Sequence, residues 1–140
     1  MTRQFHRLLP CLVALSCLSG CDGLTFWPKP APVLSKEAIA TRDAPPELVF
    51  QGTLAGAPVS LIVNDCEVYS VTRGPGEEVQ WTSLVKPDFY PFFNFCVRQS
   101  LTFESGAVTA ELGRQAFGAG GCCATGGTYR SVDGRNWKKM

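Results

Sequence analysis

Short runs of alternating apolar and polar residues dominate the chain from Glu47 onward. These runs are rich in β-branched and aromatic residues, which favour strands because they pack well on a pleated, half-buried surface. The predicted strands lie at residues 48–54, 59–63, 66–71, 79–85, 95–103 and 107–113. Turn-forming residues separate them, at Gly56-Ala57-Pro58, Asn64-Asp65, Gly74-Pro75-Gly76 and Ser105-Gly106.

Several predicted strands place their apolar side chains on one face. The fourth strand aligns Val79, Trp81, Ser83 and Val85 in this way, and the fifth aligns Val97, Gln99, Leu101 and Phe103. A one-sided apolar face on short strands with tight turns is typical of antiparallel β structure. We therefore predict an all-β domain over residues 47–140, either a small antiparallel sandwich or a barrel. Outside it, only residues 35–41 favour a short helical turn.

The beginning of the chain has a different character. Arg3 and Arg7 precede an apolar stretch at residues 8–18, and small residues follow it, an arrangement typical of a secretory leader. The apolar stretch is far shorter than the roughly 20 residues that a membrane-spanning helix needs. Residues 21–46 then contain five prolines, and this composition predicts a semi-rigid tether.

The four residues Leu18-Ser19-Gly20-Cys21 resemble the lipobox of bacterial lipoproteins. In that family the cysteine is lipidated and becomes the first residue after cleavage. The resemblance implies that residues 1–20 are a signal peptide and that acyl chains on Cys21 anchor the protein to a membrane, facing away from the cytoplasm. Asp22 resembles the inner-membrane retention signal of enteric bacteria. That sorting rule varies between bacterial groups, so the choice between inner and outer membrane stays open.

Charge and composition argue against several functions. The chain has 13 Lys and Arg against 12 Asp and Glu, and cleavage of the leader removes Arg3 and Arg7, so no basic field remains to attract nucleic acid. The only histidine, His6, also lies in the leader. A mature chain without histidine lacks the usual base of hydrolases and the commonest metal ligand. We therefore expect a protein that is not an enzyme and that uses no cofactor, metal or nucleic acid.

Besides Cys21, the mature chain contains Cys66, Cys96, Cys122 and Cys123. Their spacing lacks the short C-x-x-C repeats of zinc and redox sites. Two disulfides that staple a small extracytoplasmic domain are therefore the preferred interpretation. A bridge between adjacent cysteines would hold Cα atoms about 3.8 Å apart, below the usual range of about 4.4 to 6.8 Å. We therefore expect Cys122 and Cys123 to pair with Cys66 and Cys96, one with each.

The segment PDFYPFFNF, residues 87–95, is too aromatic for a freely solvated loop. Its rings belong to Phe89, Tyr90, Phe92, Phe93 and Phe95. The favoured interpretation is that these rings close one end of the sandwich. The alternative is that some of them form an exposed patch for a protein partner, because aromatic residues are enriched in interfaces.

The last 16 residues contain Thr125-Gly126, Tyr129, Trp137 and Lys139. This spacing resembles the motif region of the membrane-bound lysozyme inhibitors of c-type lysozyme, a family of small lipoproteins with a β-barrel domain. In that family a serine and a lysine enter the lysozyme cleft and engage its acidic catalytic residues. The resemblance implies that Thr125 takes the place of the serine and that Lys139 supplies the cation.

A purely structural role for this C-terminal segment stays open. The spacing Ser131-x-Asp133-Gly134-x-x-Trp137 also resembles an Asp-box hairpin, which is a structural motif without chemistry. Two functions remain. The first is a lipid-anchored binding module, lysozyme-inhibitor-like or of the immunity type, whose partner is a lysozyme-like enzyme. The second is an accessory or structural lipoprotein of an envelope or secretion assembly, which uses the aromatic segment and the tether.

Overall fold

The computed structural model describes residues 31, 33–118, 120 and 122–140. From Val33 to Met140 the chain forms one compact unit. Its elements are α1 (Lys36–Asp43), a 3-10 turn (Pro46–Leu48), β1 (Val49–Leu54), β2 (Ala57–Asn64), β3 (Glu67–Arg73), β4 (Val79–Val85), β5 (Asn94–Glu104), β6 (Ala107–Ala116), β7 (Thr125–Ser131) and β8 (Lys138–Lys139).

The strands form two four-stranded antiparallel sheets, one in the order β1-β2-β3-β4 and the other in the order β5-β6-β7-β8. Two-residue turns join β1 to β2, β2 to β3 and β5 to β6. Both residues of each turn have positive φ, at Ala55 and Gly56, at Asp65 and Cys66, and at Ser105 and Gly106. Such turns match the right-handed twist of the strands that they connect. Each sheet is therefore a simple meander of neighbouring strands.

The predicted all-β fold is confirmed, and of its two forms the structure adopts the sandwich. Each of the six predicted strands overlaps one of β1 to β6, and β4 has the predicted bounds. The strands β7 and β8 were not among the six. The turn expected at Gly56-Ala57-Pro58 lies one residue earlier, because Ala57 and Pro58 already pair with Leu54 and Thr53.

The core lies between the two sheets. Its fully buried side chains come from both of them and include Leu54, Leu61, Val63, Val68, Val108 and Leu112. Burying a side chain of this size contributes roughly 1.5 to 3 kcal/mol each. This apolar contact determines which face of every strand points inward.

The expected disulfide pairing is wrong. The structure joins Cys66 to Cys96, with Cα atoms 5.5 Å apart, and joins Cys122 to Cys123. The sheet itself explains the difference. Cys66 is completely buried, whereas Cys123 lies over Gly113, where a Cβ would collide with its Sγ atom. Since Leu112 is in the core and successive side chains alternate across a strand, Cys123 lies on the outer face of β6, away from Cys66.

The compact unit includes residues before Glu47. Ser35 caps α1 by accepting a hydrogen bond from the Ala38 amide at 3.0 Å. The indole Nε1 of Trp81 in β4 donates to Thr41 Oγ1 at 2.9 Å, so this helix lies against the first sheet. The predicted leader at residues 1–20 and the predicted lipidation site Cys21 lie outside the described residues.

Candidate functional site

The aromatic segment forms the connection between the two sheets. We call residues 86–93, which run from the end of β4 to the start of β5, the aromatic loop. Pro87 is buried and Tyr90 is half-buried, but the side chains of Phe89, Phe92 and Phe93 are 88%, 69% and 73% exposed. The expectation that the rings close one end of the sandwich is therefore wrong for these three residues and also for Phe95, which is 44% exposed. A loop that crosses between sheets has only one side against the core.

A polar network fixes the backbone of the aromatic loop. The side-chain amide of Asn94 donates to the carbonyl oxygen of Phe92 at 2.8 Å, and its Oδ1 accepts from Arg114 Nε at 2.6 Å. Arg114 in turn donates to the backbone oxygen of Asp65 at 2.7 Å. The network links both sheets to the loop. The backbone that carries the exposed rings is consequently fixed, and a fixed backbone loses less conformational entropy when a partner binds.

The C-terminal segment forms a hairpin of β7 and β8 around a turn centred on Asp133. The Asp133 carboxylate accepts from the amides of Arg135 and Asn136 at 2.8 and 2.7 Å and from the Asn136 side chain at 2.6 Å. These hydrogen bonds hold the pKa of Asp133 well below its usual range, and the one from the Asn136 side chain has the largest effect. Ser131 is buried and accepts from the Gly134 amide at 2.8 Å. This turn has a structural role.

The hairpin and the aromatic loop meet at one ion pair. The ammonium Nζ of Lys139 lies 3.2 Å from Oδ2 of Asp88 and 5.7 Å from the centre of the Tyr129 ring. The hydrogen bond to Asp88 raises the pKa of Lys139. The lysine stem needs the space over Gly127, where a Cβ would lie 2.9 Å from Lys139 Cε. The fold thus brings together the aromatic segment and the C-terminal segment, which are far apart in the sequence.

Around this ion pair lies an open groove, which we call the rim groove. Its walls are the aromatic loop on one side and the beginning of β7 on the other. The lining residues are Asp88, Phe89, Tyr90, Arg98, Cys123, Ala124, Thr125, Gly126, Gly127 and Lys139. The groove therefore combines an exposed ring, a residue type that is enriched in interfaces, with a carboxylate and an ammonium, whose charges can orient a partner.

The predicted site residues occupy different places around the groove. Lys139, Phe89, Tyr90 and Thr125 line it, whereas Phe92 and Phe93 are not among its lining residues. The hydroxyl of Thr125 is buried and has no hydrogen-bond partner among the described residues. Tyr129 is 8% exposed and belongs to the core cluster. The resemblance to the lysozyme inhibitors selects the Thr125 hydroxyl and the Lys139 ammonium, and in this conformation only the ammonium is accessible.

Three residues of this region were not predicted as site residues. Asp88 forms the ion pair with Lys139. Arg98 lines the groove, and its Nη2 lies 3.7 Å from the sulfur of Cys123. Phe117 is 89% exposed next to the aromatic loop. Asp88 lies within the aromatic segment itself, so its acidic charge was available as a signal. No local pattern points to Arg98 or Phe117, because their positions depend on how β5 and β6 pair.

Among the described residues, no cluster of three or more His, Cys, Asp or Glu side chains is placed to hold a metal ion. The same part of the chain contains no helix with the length and apolar character needed to cross a bilayer. No protein-family model, curated protein or solved structure matches this chain.

Proposed function

We propose that this protein is a lipid-anchored binding module outside the cytoplasm of a bacterium, and that its protein partner contacts the rim groove. The observation that carries the proposal is the ion pair between Lys139 and Asp88, which places the C-terminal hairpin against the aromatic loop. The anchoring half of the proposal rests on the lipobox-like residues that end at Cys21.

The rim groove has the features of a binding surface. Phe89 is 88% exposed beside it, and a large ring of this kind supplies most affinity when a partner pocket encloses it. Lys139 and Asp88 are about half and four-fifths exposed, so their ion pair adds little to folding stability. Their charges remain available to a partner that displaces water around them. Complementary charges on that partner would set the orientation of binding.

Site-specific photocrosslinking in intact cells tests this proposal. A photoreactive phenylalanine replaces Phe89, and in a matched control it replaces Val132, which is 61% exposed in the turn after β7. We expect a discrete protein adduct from position 89 and none from position 132. Equal adducts from both positions, or none from either, would exclude the rim groove as the contact site. Identification of the adduct separates a lytic enzyme from a component of an envelope assembly.

A specific second candidate is inhibition of a c-type lysozyme, and Lys139 favours it because its ammonium lies at the accessible groove. A retaining glycosidase keeps its two carboxyl groups about 5 to 5.5 Å apart, and Lys139 would face one of them. In this mode the enzyme carboxylate replaces Asp88 as the partner of Lys139. Asp88 is therefore a competitor, and its removal should strengthen binding.

Calorimetric titration of the mature chain with c-type lysozyme tests this candidate. Lys139→Ala should weaken binding about ten- to a hundredfold, the range for a buried charge-assisted contact. Asp88→Ala should strengthen it. The matched control is Lys138→Ala. Lys138 carries the same charge one residue away and lies opposite Arg130 of β7 in the hairpin. Equal effects of Lys138→Ala and Lys139→Ala, or no binding by the unaltered chain, would reject the inhibitor function.

A further inference from the structure

Four phenylalanines are exposed beside the rim groove, and the ring of Phe92 lies 5.8 Å from that of Tyr90, which lines the groove. Phe92, Phe93, Phe95 and Phe117 are 69%, 73%, 44% and 89% exposed. The rings of Phe93 and Phe95 have centroids 6.2 Å apart, and the Phe117 amide donates to the carbonyl oxygen of Phe93 at 3.3 Å. We call these four residues the aromatic patch. A group of exposed apolar side chains of this kind marks an interaction site.

Two residues of the patch, Phe95 and Phe117, belong to the basic part of the compact unit, whereas Phe92 and Phe93 stand at the end of its acidic part. Residues 94–140, which form the second sheet, contain six Lys and Arg against three Asp and Glu. Residues 33–93 contain four Lys and Arg against eight Asp and Glu. The basic second sheet, which contains Phe95 and which Phe117 adjoins, is complementary to a membrane with anionic lipids, which attract Lys and Arg near the surface.

The length of chain before the compact unit keeps this surface close to the bilayer if Cys21 is acylated. Val33 lies twelve positions after Cys21, and this length of chain spans at most about 40 Å when extended. A domain of this size has a radius of gyration of about 13 Å. The lipid surface is thus within reach of the patch, and tethering raises its effective concentration to about the millimolar range. A weak affinity for lipid then suffices for docking.

We propose that the aromatic patch docks on the membrane that carries the acyl anchor, with its phenylalanine rings in the interfacial layer. This inference rests on the proposed lipid anchoring. Docking by the patch orients the domain, because Phe92 and Phe93 belong to the same held loop as Phe89. The rim groove then lies beside the lipid surface, and its partner binds close to the membrane.

Fluorescence quenching by brominated lipids tests the docking. The mature lipoprotein is reconstituted in vesicles of phosphatidylethanolamine and phosphatidylglycerol whose acyl chains carry bromine. One variant has Phe93→Trp. The matched control has Val132→Trp at the opposite end of the sheet, where Ser131 pairs with Val108. The signal of the native tryptophans is subtracted with the unaltered chain.

We expect the tryptophan at position 93 to be quenched severalfold more strongly than that at position 132. Equal quenching at both positions would overturn the docking. Flotation of the vesicles reports the anchor separately, because only an acylated chain is held on the vesicles by an attached lipid. The two failures are therefore distinguishable in one sample.

A second measurement isolates the patch from the anchor. The mature chain with Cys21→Ser has no acyl attachment, so its partitioning onto the same vesicles depends on the domain surface. Each of Phe93→Ser and Phe117→Ser should lower the partition coefficient about tenfold, and Val132→Ser should leave it unchanged. The lipid assignment is wrong if the chain with the unaltered patch does not partition onto the vesicles and instead self-associates or binds only protein.

Discussion

The disulfide between Cys66 and Cys96 is predicted to be the main covalent support of the sandwich. It joins the turn between β2 and β3 to β5, and so connects the two sheets across the core. Removing it with Cys66→Ala and Cys96→Ala frees a loop with a sequence separation of 30 residues. Loop-closure entropy for that length corresponds to about 3.6 kcal/mol of unfolding free energy at 25 °C.

The matched control is the double variant Cys122→Ala with Cys123→Ala. Adjacent residues close almost no loop, so the same relation gives about 1 kcal/mol. For a domain of this size, about 3.6 kcal/mol corresponds to a decrease in Tm of about 15 °C. Thermal unfolding of the mature chain, followed by circular dichroism, measures both variants against the unaltered protein.

Two results would refute this reasoning. One is a control variant that loses as much stability as the Cys66 and Cys96 variant, since the support would then lie at the adjacent cysteines. The other is peptide mapping of the oxidised chain that links Cys66 to Cys122 or Cys123. Either result would mean that the cysteines are not separated by the two faces of β6 as described.

Three further predictions concern other parts of the chain. Hydrogen bonds lower the pKa of Asp133 below its ordinary 3.8, so the stability that the ionised carboxylate contributes is present above that pH and is lost as the pH falls further. Asp133→Asn should therefore lower Tm at pH 7 and make Tm less dependent on pH below about 4. Trp81→Phe removes the hydrogen bond to Thr41 and should cost about 0.5 to 1.5 kcal/mol in thermal unfolding, with no additional loss when Thr41→Val is combined with it. Cys21→Ser should abolish metabolic labelling with a fatty acid, and persistent labelling would contradict the lipobox assignment.

The sequence was informative about the strands because their patterns are local. Alternating side chains and the paired turn residues, such as Ser105-Gly106, determine hairpins between neighbours, and both sheets consist of neighbours alone. The strand β7 was harder to predict because TGGTYRS has two glycines in place of apolar side chains. Those glycines are needed where Lys139 and Leu112 approach closely, and that requirement exists only once the sheet has formed.

The disulfide pairing and the exposure of the rings depend on tertiary structure. The usual distance between Cα atoms disfavours a bridge between adjacent cysteines, but in the folded chain β6 lies between Cys123 and Cys66. Similarly, the composition of the aromatic loop indicated burial, but a connection between two sheets lies at the rim of the core. The ion pair of Lys139 with Asp88 joins residues 51 positions apart, beyond the range of any local pattern.

The central claim is that a protein partner binds the rim groove at Lys139 and Asp88. The most direct measurement is the yield of the photocrosslinked adduct from position 89 in cells that carry Lys139→Glu, compared with Lys138→Glu. We predict that the reversal at Lys139 lowers the yield about tenfold or more, as expected for the loss of a charge-assisted contact, whereas the reversal at Lys138 leaves it largely intact. An unchanged yield with Lys139→Glu would contradict the claim.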